Sequence, residues 1–375
     1  MTEVYLFLFK INEFLHMNLF SSSAFTIEVG SVIDSSLNDL LLKTYSQSKV
    51  VIIVDENTHD YCLEYLLTSF DSLKEAEVML LPVGEENKVM EVCFQVWQAL
   101  SEYQVGRKDL IINLGGGVVT DMGGFIASIY KRGVDFIHIP TSLLGMVDAS
   151  IGGKVGIDLG PFKNQLGVFS HPKKIYIDTI FLGTLPEEEL LNGYAEMLKH
   201  ALINDKSQWE KLKKITSIDQ LNDEKMILDS VKVKFDIVER DPLEKGERKK
   251  LNFGHTIGHA IEGFFIESTP ISHGHAVAIG MLAESYVSMK KGLLKSDEYY
   301  DIELLLTSKF PMVQLDEEAI KEIIQIAQND KKNEYGKILC ALLNEIGTCS
   351  IDNEVQEKEI ADALFYLNKF AISLN

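Results

Sequence analysis

The sequence predicts an α/β domain built on a parallel sheet, followed by a mostly α-helical domain. Up to about residue 182, short β-branched runs alternate with amphipathic stretches, a rhythm typical of a sheet with helical crossovers. After Leu185-Pro186, long helical patterns dominate and strand-like runs are few. A length of 375 residues agrees, because such chains usually form domains of roughly 150 to 200 residues. We therefore expect domains at 1–184 and 185–375.

The individual elements follow from the spacing of apolar residues. In the first domain, β-branched runs predict buried strands at 50–55, 78–82, 110–114, 136–140 and 174–178. In the second, helical patterns cover 187–203, 227–239, 275–291 and 316–328. Pro186 and the three glutamates after it mark a helix start, because proline and acidic side chains favour the first turn. The charged stretch 239–250 is expected to be a solvated loop.

The beginning of the chain fits neither pattern, so residues 1–23 form a possible extra N-terminal segment. Before Met17, an over-extended reading-frame start and a genuine strand or arm are both open. The short apolar run there has no basic leader, and no apolar run approaches the roughly 20 residues of a membrane span. A cytoplasmic protein is expected.

Charge and cysteine content exclude several kinds of partner and site. A net charge of −20 repels phosphate backbones and anionic lipids, so neither nucleic acid nor a membrane is an expected partner. The cysteines are scattered without metal-type pairing and are expected to be reduced thiols. They are Cys62, Cys93, Cys340 and Cys349.

A glycine-rich turn follows the strand predicted at 110–114. Gly115, Gly116 and Gly117 lead into a helix-like segment that contains Asp121. Glycines let the backbone approach a phosphate, and the helix start supplies N–H groups and the positive end of the helix dipole. The spacing differs from G-x-G-x-x-G, so a tight turn without a ligand is the alternative.

Polar residues also follow two other predicted strands. Asp55 ends one of them, where a carboxylate can accept both hydroxyls of an adenosine ribose. Glu85 and Lys88 follow another. Ligands of open α/β sheets gather at these carboxyl ends. For each acid, a plain helix cap is the alternative interpretation.

Histidines cluster in the second domain at 255, 259, 273 and 275. His255 and His259 are four residues apart, so on a helix they share one face, a spacing typical of metal ligands. Ordinary core or surface histidines are the alternative. A carboxylate such as Glu196 would complete a catalytic Zn²⁺-type site, although Glu196 and Lys199 also fit a local salt bridge. Spacing leaves open whether these residues meet.

These residues belong to an ordered series of motifs. They are Gly84-Glu85-x-x-Lys88, Gly115-Gly116-Gly117-x-x-x-Asp121, Lys131-Arg132-Gly133, Pro140-Thr141-Ser142-Leu143-Leu144, Met146-Val147-Asp148-Ala149-Ser150-x-Gly152-Gly153-Lys154, Lys163-Asn164, Ala195-Glu196-x-x-Lys199 and Asn252-Phe253-Gly254-His255-x-x-Gly258-His259.

In these motifs the chain resembles the 3-dehydroquinate synthase family of sugar-phosphate cyclases, over essentially its whole length from about Phe25. The resemblance implies a Rossmann-like N-terminal domain, a helical C-terminal domain and a homodimer. It implies a lyase of the shikimate pathway, which makes aromatic amino acids. Its substrate would be 3-deoxy-D-arabino-heptulosonate 7-phosphate, a phosphorylated seven-carbon sugar acid, and its products 3-dehydroquinate and phosphate. NAD and a divalent metal, zinc or cobalt, are the implied cofactors.

The resemblance also implies roles for individual residues. The metal ligands are Glu196, His255 and His273. The NAD contacts are Asp55, Asn57, Glu85, Lys88, Gly116, Gly117, Asp121, Thr141 and Ser142. The substrate contacts are Arg132, Asp148, Lys163, Asn164 and Lys331. Residues that take part in the chemistry are His259 as a proton relay, Lys154, Asn252, Lys199 and Arg248. Guanidinium and ammonium groups are natural partners for the phosphate and carboxylate of such a substrate.

One departure from the family pattern leaves alternatives open. Most members read His-Gly-Glu where this chain has His273-Gly274-His275, and related cyclases share the His-Gly-His form. A cyclase of the 2-epi-5-epi-valiolone or 2-deoxy-scyllo-inosose synthase type is therefore an alternative, and His275 is a competing metal ligand. A metal-dependent oxidoreductase like glycerol dehydrogenase would release NADH. A catalytically dead binding protein would not need the intact set of cations and ligands.

Overall fold

The computed structural model describes residues 17–160, 162–266, 268–328 and 337–371. The chain forms two compact units. The first runs to Leu190 and includes Asn222–Phe235, and the second comprises Leu191–Leu221 and Asp236–Asn375. The division thus falls after Leu190 rather than after residue 184, and one later segment groups with the first unit. Independent folding of the domains 1–184 and 185–375 stays a prediction.

The first unit is built on a largely parallel sheet. Its strands are β1 (Asn18–Ser21), β2 (Thr26–Val29), β3 (Val50–Asp55), β4 (Glu77–Leu81), β5 (Leu110–Gly115), β6 (Asp135–Pro140) and β9 (Lys174–Ile177). Between β6 and β9 in the sequence, β7 (Lys154–Leu159) and β8 (Phe162–Phe169) form a separate hairpin. Within the described residues, seven strands pair in the order β1-β2-β9-β6-β5-β3-β4, with only the β1–β2 pair antiparallel. The strands predicted in this half are confirmed to within about a residue, because strands covered on both faces appear as continuous apolar runs.

The order of the strands singles out one place in this sheet. β4 pairs with one edge of β3 and β5 with the other, so the chain reverses its direction of winding between β3 and β5. Ligands of open parallel sheets bind at the carboxyl ends of the strands beside such a switch. Here those ends are Asp55 and Gly115.

Helices follow in both halves of the chain. Before residue 187 they are α1 (Leu37–Asp39), α2 (Glu56–Thr58), α3 (Glu64–Ser69), α4 (Met90–Glu102) and α5 (Gly117–Ile129). After it they are α6 (Glu187–Asn204), α7 (Lys206–Leu212), α8 (Glu224–Arg240), α9 (His255–Phe265), α10 (His273–Lys290), α11 (Ser296–Lys309), α12 (Glu317–Gln328) and α13 (Glu357–Leu367). The predicted helical second half is confirmed. No helix in the described part of the chain has the length and apolar character that crossing a membrane requires.

Besides the antiparallel β1–β2 pair, two hairpins were not predicted from the sequence. One is formed by β7 and β8, and the other by β10 (Ile338–Glu345) and β11 (Thr348–Val355) in the second unit. β10 is a continuous apolar run that also fits a buried helix, and both hairpins contain register shifts that disturb the alternation of side chains. The four cysteines are buried, and none of them forms a disulfide within the described residues. β1 falls within the possible extra segment 1–23, whereas the residues before Met17 lie outside the described part.

Candidate active site

The glycine-rich turn joins the end of β5 to α5. Gly116 occupies the N-cap of this 13-residue helix and has no side chain that could cap it. A Cβ atom at Gly115 would lie 2.5 Å from Val119 Cβ, and one at Gly116 would lie 3.2 Å from Ser142 Oγ. The close packing leaves little room for larger residues, so the helix start is built from backbone alone. Backbone N–H groups at a helix start suit a phosphate.

Lys88, which is buried, lies at the centre of a polar network that includes this helix. Its Nζ donates to Asp121 Oδ2 on α5 at 2.7 Å and to Asn164 Oδ1 on β8 at 2.7 Å. Glu85 Oε1 lies 3.8 Å from Lys88 Nζ and 3.4 Å from Lys163 Nζ. Burial opposes the ammonium charge, but Asp121 and Glu85 outweigh it and raise the pKa of Lys88. The structure thus brings predicted cofactor contacts and predicted substrate contacts together.

Asp55 has the role that the alternative interpretation gave it. It is the N-cap of α2, and its Oδ1 accepts from the backbone N–H of Thr58 at 2.7 Å. One carboxylate can cap a helix and still accept from a ligand, because it offers two oxygens. Asn57 in the same turn is exposed. The NAD contacts of Asp55 and Asn57 stay predictions.

The residues after β6 approach the same glycine-rich turn. Thr141 and Ser142 are buried, and Ser142 Oγ accepts from the backbone N–H of Gly145 at 3.1 Å. Farther on, Asp148 Oδ1 accepts from Lys234 Nζ at 2.7 Å. Lys234 is a cation of this site that the sequence reasoning missed. It lies in a helix with an ordinary polar pattern, and no short motif marks it.

Two of the predicted anion-binding cations are open to solvent. Arg132 is exposed and has a left-handed backbone with φ 66°. Lys154 is exposed at the first position of β7. Exposed cations of this kind can meet a soluble anionic ligand, and their predicted substrate contacts stay predictions.

In the second unit, Glu196, His255 and His273 converge. Glu196 on α6 is 0% exposed, and its Oε1 lies 3.3 Å from His255 Nε2 and 3.5 Å from His273 Nε2. His259 follows one turn after His255 on α9, and their ring centroids are 5.0 Å apart. The ring of His259 lies 5.5 Å from that of His273. The residues that spacing could not connect are therefore neighbours.

The electrostatics of this cluster are strongly coupled. Lys199, 1% exposed, forms an ion pair with Glu196, so the predicted local salt bridge is present as well. Burial lowers the pKa of His255 to about 4, and Lys199 acts in the same direction. Burial also opposes charge on His273, but the carboxylates of Glu262 and Glu196 outweigh it and raise the pKa of His273 to about 10.

The donor set fits a divalent metal ion. His255 Nδ1 faces the carbonyl oxygen of Phe253 at 3.1 Å, and His273 Nδ1 faces Glu262 Oε2 at 3.3 Å. These partners fix the rings so that each Nε2 points to Glu196, as the outer partners of metal-binding histidines do. Two imidazoles and a buried carboxylate suit Zn²⁺ or Co²⁺.

His275 does not join this cluster. Its Nε2 contacts the carbonyl oxygen of Pro311, and its ring packs 6.4 Å from that of Phe310. The structure therefore gives no support to His275 as a competing ligand. The reason is helical geometry, because residues two positions apart on α10 point in different directions.

The stretch 239–250 differs from its prediction. Arg248 is 2% exposed, and its Nη1 donates to the carbonyl oxygen of Pro242 at 2.6 Å. The prediction of a solvated loop is therefore wrong for this residue, whose buried charge is compensated by hydrogen bonds. Asn252 Nδ2 donates to Glu244 Oε1 at 2.9 Å. Lys331 lies outside the described residues.

Comparisons with known proteins identify the family. Models of the N-terminal and C-terminal parts of 3-dehydroquinate synthase match residues 78–192 and 193–333. The 3-dehydroquinate synthase of Parabacteroides distasonis is 38% identical over 343 residues, which cover 90% of this chain and 96% of that protein.

Solved structures extend the comparison to the fold. A 2-epi-5-epi-valiolone synthase from Streptomyces hygroscopicus, with NAD⁺ and Zn²⁺ bound, is 26% identical and gives a TM-score of 0.81 over 94% of this chain and 99% of that chain. Glycerol dehydrogenase from Schizosaccharomyces pombe shares the fold alone, with 14% identity and a TM-score of 0.60 over 89% of this chain and 87% of that chain.

A parallel-sheet unit with a glycine-rich turn and a helical unit with a histidine–carboxylate cluster are built on the fold of a sugar-phosphate cyclase. The 38% identity to a 3-dehydroquinate synthase over 90% of this chain identifies the family within that class. The chain belongs to the 3-dehydroquinate synthase family. The predicted family, fold class and lyase activity are thereby confirmed.

Proposed function

We propose that the chain converts 3-deoxy-D-arabino-heptulosonate 7-phosphate into 3-dehydroquinate and phosphate, with NAD⁺ as a catalyst and one divalent ion. The observation that carries the proposal is the convergence of His255 and His273 on the fully buried Glu196, in a chain of this family. A buried carboxylate with two imidazoles has the chemistry of a catalytic metal site.

The first unit would bind the cofactor and the anionic part of the substrate. Bound NAD⁺ supplies reversible oxidation of one substrate carbon, which makes the neighbouring C–H acidic enough for phosphate to leave. The start of α5 offers backbone N–H groups to the dinucleotide phosphates. Lys163 and the exposed Lys154 and Arg132 offer cations to the substrate oxyanions.

The second unit would hold the metal and move protons. We propose Glu196, His255 and His273 as the ligands of a Zn²⁺ or Co²⁺ ion, which supplies Lewis acidity that polarises substrate oxygens. His259 is partly exposed beside these residues and is the proposed proton relay. Lys199 forms an ion pair with Glu196. Asn252 and Arg248 lie in the segment that leads into α9 and are proposed to position the substrate.

The alternatives differ in substrate and in the fate of NADH, so one assay separates them. Purified protein should release phosphate from 3-deoxy-arabino-heptulosonate 7-phosphate and not from sedoheptulose 7-phosphate. Phosphate and dehydroquinate should accumulate far beyond the NAD⁺ added, while absorbance from free NADH stays flat. Glu196→Gln, which keeps the shape of the side chain, is the matched inactive control.

Other outcomes of this assay would contradict the proposal in distinct ways. NADH that appears in proportion to product would identify a dehydrogenase. Turnover of sedoheptulose 7-phosphate or glucose 6-phosphate alone would identify another cyclase.

We also propose a cytoplasmic homodimer, as the family resemblance implies. Light scattering should then give a mass of about twice 42.2 kDa. A mass equal to that of one chain at assay concentrations would contradict the dimer.

A further inference from the structure

The hairpin of β7 and β8 contains an irregularity at the predicted substrate contacts. Its strands pair regularly from Lys154 opposite Phe169 to Ile157 opposite Leu166, and again at Leu159 opposite Phe162. Between these pairs, a single residue of β7 faces residues 163–165 of β8. The single residue is Asp158. Bulges of this kind redirect side chains and are frequent beside active sites.

The bulge changes where neighbouring side chains point. In a regular strand, successive side chains point to opposite faces of the sheet. Here the successive residues Lys163 and Asn164 reach one polar group, because Lys163 Nζ lies 3.4 Å from Glu85 and Asn164 Oδ1 accepts from Lys88 Nζ at 2.7 Å. Asn164 has a left-handed backbone with φ 53°, which allows this direction.

Asp158 holds this backbone conformation. Its Oδ1 accepts from the backbone N–H of Asn164 at 2.6 Å, and Asp158 is 9% exposed. Its own backbone N–H donates to the carbonyl oxygen of Lys88 at 2.8 Å. Lys88 Nζ in turn donates to both Asn164 and Asp121. The hydrogen bonds form a closed ring of Asp158, Asn164 and Lys88 that is tied to α5 by Asp121.

We propose that Asp158 is a positioning residue for the substrate, which holds the bulge so that Lys163 and Asn164 both face the substrate oxyanions. The inference rests on the proposed function, because it takes the ligand of Lys163 and Asn164 to be the phosphorylated sugar acid. Asp158 itself does not need to touch the substrate. Its carboxylate accepts a hydrogen bond from the backbone N–H of Asn164, the residue that is proposed to contact the substrate.

The test compares three variants with the wild-type enzyme. Asp158→Ala removes the acceptor for Asn164 N–H but keeps the backbone bond to Lys88. Asp158→Asn keeps an acceptor oxygen at the same place. Leu159→Ala changes the next residue of β7, which is 55% exposed, and controls for general loosening of the hairpin. Each variant is assayed for KM and kcat, and for substrate binding by calorimetry on protein freed of NAD⁺, where no turnover occurs.

Asp158→Ala should raise KM and the calorimetric Kd for the substrate about tenfold, the usual effect of losing one charge-assisted hydrogen bond. The Kd for NAD⁺ should stay within about twofold, because Lys88 keeps its bond to Asp121 and the bond from the backbone N–H of residue 158. Asp158→Asn should recover most of the substrate affinity, and Leu159→Ala should behave as wild type. If Asp158→Ala does not fold, the other two variants still test the role. A folded Asp158→Asn variant that binds the substrate about tenfold more weakly than the wild-type enzyme would contradict it.

Substrate affinity unchanged in Asp158→Ala, or lowered equally in Leu159→Ala, would overturn the inference. Failure of the proposed function looks different. In that case the wild-type protein itself neither binds nor turns over 3-deoxy-arabino-heptulosonate 7-phosphate.

Discussion

Glu196 illustrates how burial changes the meaning of a residue. In the sequence, Glu196 and Lys199 are an ordinary acid–base pair on one face of a helix, and that pair is present. Because Glu196 is fully buried, its negative charge lowers the stability of the folded chain unless cationic partners compensate it. His255 and His273 lie at 3.3 and 3.5 Å from it. A divalent ion between these three side chains would add a further positive charge beside the carboxylate that Lys199 already pairs.

The two neighbouring histidines His273 and His275 provide a test at this scale. His273→Ala should lose bound metal, because the side chain belongs to the cluster with Glu196. His275→Ala should keep it, because His275 contacts Pro311 instead. Elemental analysis after dialysis against Zn²⁺ measures both. Loss of metal from the His275 variant and retention by the His273 variant would show that the third ligand is misassigned.

His138 gives a prediction for pH. It lies 1% exposed on β6, next to the amide of Asn113 at 3.2 Å, and burial lowers its pKa to about 3. The unfolded chain, with a histidine pKa of about 6.5, binds the proton more readily. The stability that comes from keeping His138 neutral is therefore fully present above about pH 6.5. The free energy of unfolding should fall as the pH drops, by about 2 kcal/mol between pH 6.5 and 4.5.

Denaturant unfolding at several pH values measures this slope. His138→Gln cannot take up the proton, so it should flatten the slope by that amount. An identical slope in the variant and the wild-type protein would mean that another group titrates.

At the scale of elements, α9 and α10 cross at glycines. A Cβ atom at Gly280 would overlap the carbonyl oxygen of Gly254 and lie 2.6 Å from the backbone nitrogen of Gly258. Glu284 on α10 accepts from the backbone N–H groups of Gly254 at 2.6 Å and Ile257 at 3.2 Å. α10 thus caps the start of α9, the helix that carries His255, and the glycines let the helices approach closely enough.

Gly280→Ala should therefore destabilise the protein by about 1–3 kcal/mol, the usual effect of overpacking. Gly263→Ala on α9 is the matched control, because its Cβ would meet Ile326 Cγ2 at an ordinary 3.6 Å. That variant should be neutral or more stable by about 0.5–1 kcal/mol, since alanine favours a helix. Thermal or denaturant unfolding compares them. Equal losses in both variants would argue against close packing as the cause.

At the scale of the whole molecule, metal binding should appear as stability. A ligand that binds only the folded chain stabilises it by about 2.7 kcal/mol when its free concentration is roughly 100 times Kd. Calorimetry should show Zn²⁺ raising, and a chelator lowering, the unfolding temperature of the protein. His273→Ala should abolish the shift. An equal shift in that variant would indicate binding elsewhere.

The sequence determined the order and type of the main elements. Strands such as β3 and β5 and helices such as α6 could be predicted from local apolar patterns, because these patterns do not depend on tertiary contacts. The two hairpins of β7–β8 and β10–β11 were not predicted. β10 is apolar on successive residues, and the bulge at Asp158 breaks the alternation of side chains between the two faces of β8. Motifs marked many site residues by their resemblance to a family, but Lys234, Glu244 and Asp158 lie outside those motifs.

Only the tertiary structure decided which side chains meet. Glu196 is far from His255 and His273 along the chain, and spacing could place only His255 and His259 on one face. The same holds for Lys88, whose partners Asp121 and Asn164 are 33 and 76 residues away. Local patterns record how each segment folds. The contacts between distant segments depend on packing, so burial, the shifted pKa values and the fit for a metal emerge only in the folded chain.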